Sequence, residues 1–257
     1  MLTLAFSTLL HTAPSLIERL NRIELSPKIS IVVIVQNLQN KGHKLPNLNR
    51  GEVHIYKEKG ISRSRNRAIE KSNTDYIWFL DDDVELVMSG VEEVLEFLEE
   101  ESPDAMTVRI GSLEKPTDFY KEYQKNLTGY KNSQIMAMKV SSIELIVSKE
   151  YITTNGIKFQ ENVGLGTQFP CTEENIFVLD LLKRKARFFF SEIVAVLHTT
   201  KMDQRLKISE GHYKARGQLL KYLPFYWRFF LLIRWSIRCD KEVGFISRVR
   251  FLIKGIN

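Results

Sequence analysis

The chain has 257 residues, 44% of them apolar and 26% charged, an ordinary globular composition that excludes a disordered or fibrous protein. This length suits one large domain, or a domain with a short appendage, and it suffices to bury a sizeable core. The net charge of +6 is uneven: from Lys183 onward 17 Lys and Arg face 5 Asp and Glu, while the preceding residues hold 20 basic against 26 acidic.

The first half alternates strand and helix signals. The N-terminal MLTLAFSTLLHTAPS lacks the basic start and long apolar stretch of a secretory signal, so a cytoplasmic chain is expected. Within it, residues 2–9 form a short β-prone run, and Ala13-Pro14-Ser15 opens a helix with Leu16, Ile17, Leu20 and Ile23 on one face. The β-branched run ISIVVIV at 29–35 predicts a strand buried on both faces. A polar loop with Gly42 and Pro46 follows, then a short run over 53–56, a helix over 62–72 and a second buried strand, YIWFL, at 76–80. That strand stops at Asp81-Asp82-Asp83. Val91, Val94, Leu95 and Leu98 then mark the apolar face of a helix whose glutamates are solvated. Strands are expected over 105–110 and 135–147, a helix over 176–182 capped by Thr172, and a strand over 188–197 ending at His198. Repeated strand–helix–strand units imply an α/β fold, a mostly parallel sheet with covering helices, in which ligands bind beyond the carboxyl ends of the strands.

Three constellations carry chemistry. Three adjacent carboxylates repel one another, and a hard divalent cation, Mn²⁺ or Mg²⁺, relieves that repulsion while holding a diphosphate. An exposed turn at a helix start would also tolerate Asp81, Asp82 and Asp83. The stretch Lys59-Gly60-Ile61-Ser62-Arg63-Ser64-Arg65-Asn66 brings a Ser62 cap and basic side chains to a helix start, a place for phosphate oxygens or a solvated basic turn. Glu173-Glu174, behind the glycine-containing Gly164-Leu165-Gly166, offers a general base or merely acids at a helix N-terminus. His198 at its strand end gains interest as a further metal ligand. Cys171 and Cys239 match no metal or disulfide spacing, as in a reduced compartment, and the Asn126 sequon is expected to be a chance match.

Together, KGISRSRNRAI, YIWFLDDDV, GIKFQENVGLGTQFPCTEENIF and His198 resemble family-two glycosyltransferases of bacterial surface-polysaccharide assembly. The resemblance spans residues 1–200 and implies a GT-A (Rossmann-like) fold, with inverting transfer of a sugar from a nucleotide diphosphate sugar, dependent on Mn²⁺ or Mg²⁺. By position, Asp81 and Asp83 would be the DxD carboxylates, with Asp83 the direct metal ligand, and Asp82 would fill the variable middle place. Glu174, or its neighbour Glu173, would match the catalytic base, where Asp is commoner, and His198 an occasional third metal ligand. Ser7 and Thr8 would lie where the family holds the nucleotide, with Arg63, Arg65 and Asn66 in the nucleotide-contacting segment.

The tail interleaves rings with bases: Tyr222, Phe225, Tyr226, Trp227, Phe229, Phe230 and Trp235 among Lys221, Arg228, Arg234 and Arg238. Its longest apolar run, residues 229–233, is far short of the ~20 residues of a spanning helix. Two uses fit such a segment: lying in an anionic membrane interface, or packing its rings on the core. Nucleic acid is not expected, because no binding motif accompanies the charge. The expected organisation is a GT-A domain over 1–205 and a basic-aromatic helical extension over 206–257, cytoplasmic or peripheral on the inner face of the membrane. Its acceptor would be a glycan or lipid-linked hydroxyl. The rivals are a non-catalytic membrane-associated scaffold and a Mg-dependent nucleotidyltransferase; the latter normally shows a glycine-rich loop after its first strand, where this chain reads FSTLLHTAPS.

Overall fold

A computed structural model of the protein describes residues 1–38, 44–115, 117–123, 128–199, 208–237 and 243–256. Gly42, Asn126, Arg238, Cys239 and the expected domain junction at 205/206 lie outside the described residues. The chain begins with β1 (Leu2–Leu9), α1 (Ala13–Leu20), β2 (Ile29–Gln36), β3 (Glu52–Tyr56), α2 (Ile61–Lys71) and β4 (Tyr76–Asp81). The short β5 (Glu85–Leu86) leads into α3 (Met88–Glu101) and β6 (Ala105–Ser112). Then come β7 (Gly129–Tyr130), α4 (Gln134–Ala137), a 3-10 turn at Ser142–Glu144, β8 (Leu145–Ser148) and α5 (Lys149–Thr154). Helix α6 (Glu173–Lys183), strand β9 (Phe188–His198) and helices α7 (Glu210–Leu220), α8 (Phe225–Ile237) and α9 (Phe245–Ile256) follow.

The strands form one sheet in the order β3-β2-β1-β4-β8-β6-β9-β5, with β7 also on β9. Strands β1 to β4 are mutually parallel, as are β6 and β9, while β8 runs antiparallel between β4 and β6. This is the mixed, mostly parallel sheet flanked by helices that the strand–helix alternation predicts. Because successive side chains point to opposite faces, the apolar runs feed two cores. Leu2, Leu4 and Phe6 join Ile31, Val33, Trp78 and Leu80 under α1 and α3. Ala5, Val32, Ile34, Ile77 and Phe79 lie on the other face with α6 and parts of α2, α7 and α8.

Strand order fixes where a ligand fits. The chain steps from β1 outward to β2 and β3, then crosses back to place β4 on the other side of β1. The carboxyl ends of β1 and β4 therefore flank a topological switch point, where a crevice opens. Register puts Ser7 beside Asp81 there. Farther along the same edge, Ser112 of β6 pairs with His198 of β9.

Three local expectations are corrected. Residues 135–147 are not one strand: the apolar residues belong to α4, the 3-10 turn and the start of β8. The turn is held by Ser141 and Glu144, which cap it reciprocally. Ser62 does not cap α2; Gly60 occupies the cap position at φ 118°, and the Ser62 hydroxyl donates to the Val163 carbonyl at 2.5 Å. Thr172 does sit at the cap of α6, but at φ 78° and with its hydroxyl donating to Ala215 O, so it fastens α6 to α7 rather than capping it.

The extension is helical, as expected, and one side of it packs on the core. Tyr213, Leu219, Leu220 and Leu231 are buried, with Tyr222, Trp227 and Trp235 partly so. Helices α7 and α9 cross in backbone contact at Gly217 and Gly255, where a Cβ on either glycine would overlap the facing carbonyl.

Trp78 links sheet and turn: it is fully buried in β4 and its indole N–H donates to Ile143 O at 2.8 Å. Trp78→Phe removes that donor and part of the ring volume, and should cost about 2–3 kcal/mol. Urea unfolding reads this as a lower midpoint with unchanged slope.

Candidate functional site

The acid triplet closes β4 at the crevice, and its three carboxylates face three ways. Asp82 turns back on the start of the chain: its Oδ2 accepts from the hydroxyls of Thr8 (2.5 Å) and Thr12 (2.7 Å). Arg19 of α1 donates to the Asp82 carbonyl at 2.6 Å. Asp82 thus ties the β4 end to β1 and α1, which gives the middle aspartate a positioning role that the sequence left undefined. Thr8 is buried and spends its hydroxyl on this tie.

Asp83 turns outward. The two residues of β5 pair with Leu197 and Val196 at the end of β9, which carries the preceding aspartate to His198. Asp83 Oδ1 lies 3.3 Å from His198 Nε2. On the ring's other side Nδ1 is 2.8 Å from Thr199 O, and Tyr120 stacks edge-on at 5.1 Å between centroids. The hydrogen bond between them lowers Asp83 and raises His198 from their ordinary values. Both ring nitrogens donate in this arrangement, Nε2–H to Asp83 and Nδ1–H to the Thr199 carbonyl, and loss of the Nε2 proton would free a lone pair beside Asp83 for a metal ion.

Asp81 turns inward to Arg65. That guanidinium is buried in α2 and donates to Asp81 Oδ1 at 3.3 Å, to Glu173 Oε1 at 2.9 Å and to Ser142 Oγ at 2.7 Å, with the Phe159 ring 5.5 Å away. Burial raises the Asp81 pKa; Arg65 opposes the shift, and the charges of Asp83 and Glu173 add to it. Arg65, read from the sequence as part of a nucleotide-contacting segment, is therefore occupied by the protein's own carboxylates. Its neighbours are engaged too. Asn66 brackets the backbone of Phe159, accepting from its N–H at 2.9 Å and donating to its carbonyl at 3.0 Å. Arg63, half exposed, pairs with Glu161 at 3.2 Å.

The two glutamates at the start of α6 are unlike. Glu173 is buried and neutralised by Arg65. Glu174 is less covered, and burial followed by repulsion from Glu173 pushes its carboxyl up to about 8, with Arg65 acting the other way. The Gly164-Leu165-Gly166 loop makes this approach possible: a Cβ on Gly164, at φ 108°, would come within 2.8 Å of Ile61 and Ser62 and 3.2 Å of the Glu173 carboxyl. Leu165 O accepts from the Ile61 N–H at 3.0 Å, locking the loop to the start of α2.

Asp81, Asp83, His198, Ser7 and Thr8 thus gather at one crevice, joined through Arg65 to Glu173 and Glu174. Thr12, Arg19 and Ser142 support them and carry no motif of their own; only the four-residue spacing from Thr8 to Thr12 hints at a partnership. No group of three or more His, Cys, Asp or Glu poised around a metal occurs among the described residues. The Asp83–His198 pair, with oxygen and imidazole donors, still suits Mn²⁺ or Mg²⁺. Such ions are commonly held by one or two protein ligands, with phosphate oxygens and water completing the shell.

Residues 30–154 match the family model described as glycosyl transferase family 2, so this stretch bears out the resemblance drawn from the motifs. Among solved structures the chain is similar to S. aureus TarS 1-349 at 14% identity and a TM-score of 0.66, covering 100% of this chain and 81% of that one. The same TarS segment in complex with UDP-GlcNAc aligns equally well, at 14% identity and TM-score 0.66, over 100% and 82% of the two chains. A longer TarS chain aligns with TM-score 0.61 at 14% identity, over 94% of this chain and 46% of that one. The fold is GT-A. No curated protein sequence matches the chain significantly.

Removing the Arg65 cation strands two carboxylates. Arg65→Met should destabilise the protein by about 3–5 kcal/mol, because Glu173 would remain buried and charged without a partner. The double variant Arg65→Met/Glu173→Leu should recover part of that loss in urea unfolding. Equal stability of Arg65→Met and wild type would show that the buried pair does not hold the site together.

Proposed function

We propose that this chain, with its family-two glycosyltransferase segment and GT-A fold, moves a sugar from a nucleotide diphosphate sugar to a hydroxyl of a glycan or lipid-linked acceptor. The observation that carries this reading is the pairing at one crevice of the outward Asp83–His198 couple with the raised carboxyl of Glu174. The first donates ligands for a diphosphate-bound cation, and the second accepts a proton near neutral pH. The TarS structure that contains UDP-GlcNAc supports a UDP-sugar as the first donor to try.

In the proposed mechanism the nucleotide lies over the ends of β1 and β4, near Ser7 and Asp81. An acceptor hydroxyl oxygen attacks the anomeric carbon from the face opposite the nucleoside diphosphate, and its proton passes to Glu174. The bond from that carbon to the diphosphate oxygen breaks with its electron pair, so the anomeric configuration inverts. When bound at Asp83 and His198, Mn²⁺ or Mg²⁺ would offset the charge on the departing diphosphate. Asp82, held by Thr8 and Thr12, keeps the triplet at the crevice floor. Arg65 positions Asp81 and engages Glu173 in a buried ion pair.

Two measurements test the assignment. Glu174→Gln should retain donor binding yet lose transfer by about 10²–10⁴-fold, the usual contribution of a general base. In the wild type, the deprotonated form of Glu174 grows as pH rises through about 8, so kcat/KM should climb to that region and then level off. Full activity in Glu174→Gln would remove it as the base.

Calorimetry with UDP-GlcNAc and Mn²⁺ should give a binding isotherm for wild type and none for Asp83→Ala. Unchanged binding in that variant would overturn the metal assignment. If neither UDP- nor GDP-sugars bind the wild type, the non-catalytic scaffold is favoured. Release of inorganic pyrophosphate from a nucleoside triphosphate would favour a nucleotidyltransferase.

A further inference from the structure

Helix α8, FYWRFFLLIRWSI, is apolar nearly all round, a pattern usually found in helices covered on every side. Only one side of it is covered. Trp227, Leu231 and Trp235 face the core, while Tyr226, Phe229, Phe230, Ile233 and Ile237 recur at i, i+3, i+4, i+7 and i+11 and are 40–65% exposed. Helix α9 adds Ile246 and Ile253, with Arg250 and Lys254 beside them around a shallow apolar groove. Of the 17 exposed large apolar side chains among the described residues, nine fall between Phe225 and Ile253, so this is a patch and not scattered exposure.

We propose that the exposed face of α8 and α9 docks on an anionic lipid surface. Charge selects this occupant. The two helices carry five bases, Arg228, Arg234, Arg248, Arg250 and Lys254, and no acid. Arg228 is committed to the carbonyls of Lys221 and Leu223, and Arg248 is buried. Arg234, Arg250 and Lys254 remain exposed, and none forms a salt bridge among the described residues. Glu210, whose field reaches Arg250 and Lys254, is already paired with Lys214 at 2.6 Å. In a symmetric pair of chains joined through this face, these like charges would oppose one another across a desolvated interface. An anionic bilayer instead supplies the missing negative charge and takes the rings at headgroup depth. No helix among the described residues is long and apolar enough to cross a membrane. With 13 and 12 residues, α8 and α9 lie in the plane of the surface. The Gly217–Gly255 crossing fixes α9 to α7, so the face is already formed before it meets lipid. The surface shares no residue with the donor crevice, and the proposal stands whether or not sugar transfer is the reaction.

Flotation of the full chain with vesicles tests this, using phosphatidylcholine alone or mixed with phosphatidylglycerol. The wild type should float with the anionic vesicles and not with the neutral ones, and added salt should weaken its binding. Each of Arg234→Gln, Arg250→Gln and Lys254→Gln should weaken binding roughly fivefold. Phe229→Ser/Phe230→Ser should abolish it, with the thermal transition of the core retained because both side chains are exposed; single Phe229→Ser should give an intermediate loss. Three results would overturn the proposal: no flotation of the wild type, equal flotation with both lipids, or a solution dimer that Phe229→Ser/Phe230→Ser dissociates.

Discussion

Much of the crevice depends on one buried guanidinium. Arg65 sits in α2 where the sheet edge, the Ser142 turn and the start of α6 converge, and it donates to Asp81, Ser142 and Glu173 at once. Taking a guanidinium out of water is costly, and the cost is met only if its donors find well-placed acceptors. A lysine, with a single ammonium, would not span the same three partners, whereas the planar fork does. The packing around Arg65 serves that geometry. Gly164 lets the loop before α6 approach the start of α2 closely, and Asn66 clamps the Phe159 backbone so that its ring covers the guanidinium.

With Arg65 in place, adjacent acids acquire different characters. Glu173 is buried and paired with Arg65, while Glu174, one residue on, is raised by its own burial and then by repulsion from Glu173. Asp81 is drawn inward, Asp82 is held by two threonine hydroxyls, and only Asp83 turns outward to an imidazole. Three identical residues in a row thus do three jobs, because each meets a different part of the fold: α2, the β1–α1 corner and the end of β9.

The sequence made the frame of this arrangement legible and left its wiring obscure. The runs at 2–9, 29–35 and 76–80 are buried on both faces, and continuous apolar strands are readable without any knowledge of their neighbours. Their alternation with helices led to the parallel sheet, and the sheet to the position of the triplet. The partner of Arg65 lies 108 residues away, however, and no local pattern announces such a pair. Arginine at a helix start suits an external phosphate as well as an internal carboxylate, which is why Arg65 read as a nucleotide contact. Residues 135–147 misled for a different reason: apolar side chains buried from a short helix and a 3-10 turn leave the same mark as a strand when the segment is brief. Of the tail's two readings, packing on the core describes the buried side of α8, and its other side is exposed.

Electrostatics at the crevice argue for an added cation independently of any motif. Asp81, Asp82, Asp83, Glu173 and Glu174 supply five carboxyls, against which the structure sets Arg65, the Arg19 contact to a backbone carbonyl and, when protonated, His198. Arg65 is buried and already donates to Asp81, Glu173 and Ser142. A doubly or triply charged leaving group approaching this edge would meet net negative charge in a partly desolvated cleft, where unlike the surface there is little water to screen it. Burial raises the carboxyls of Asp81 and Glu174, and repulsion from the neighbouring acids adds to it. A divalent cation bound at the outward Asp83–His198 pair would offset that field beside Asp83, which is more exposed than Asp81. Donor affinity should then depend on the cation more steeply than the stability of the fold does, because Arg65 already neutralises the buried acids and the cation serves only the exposed ones.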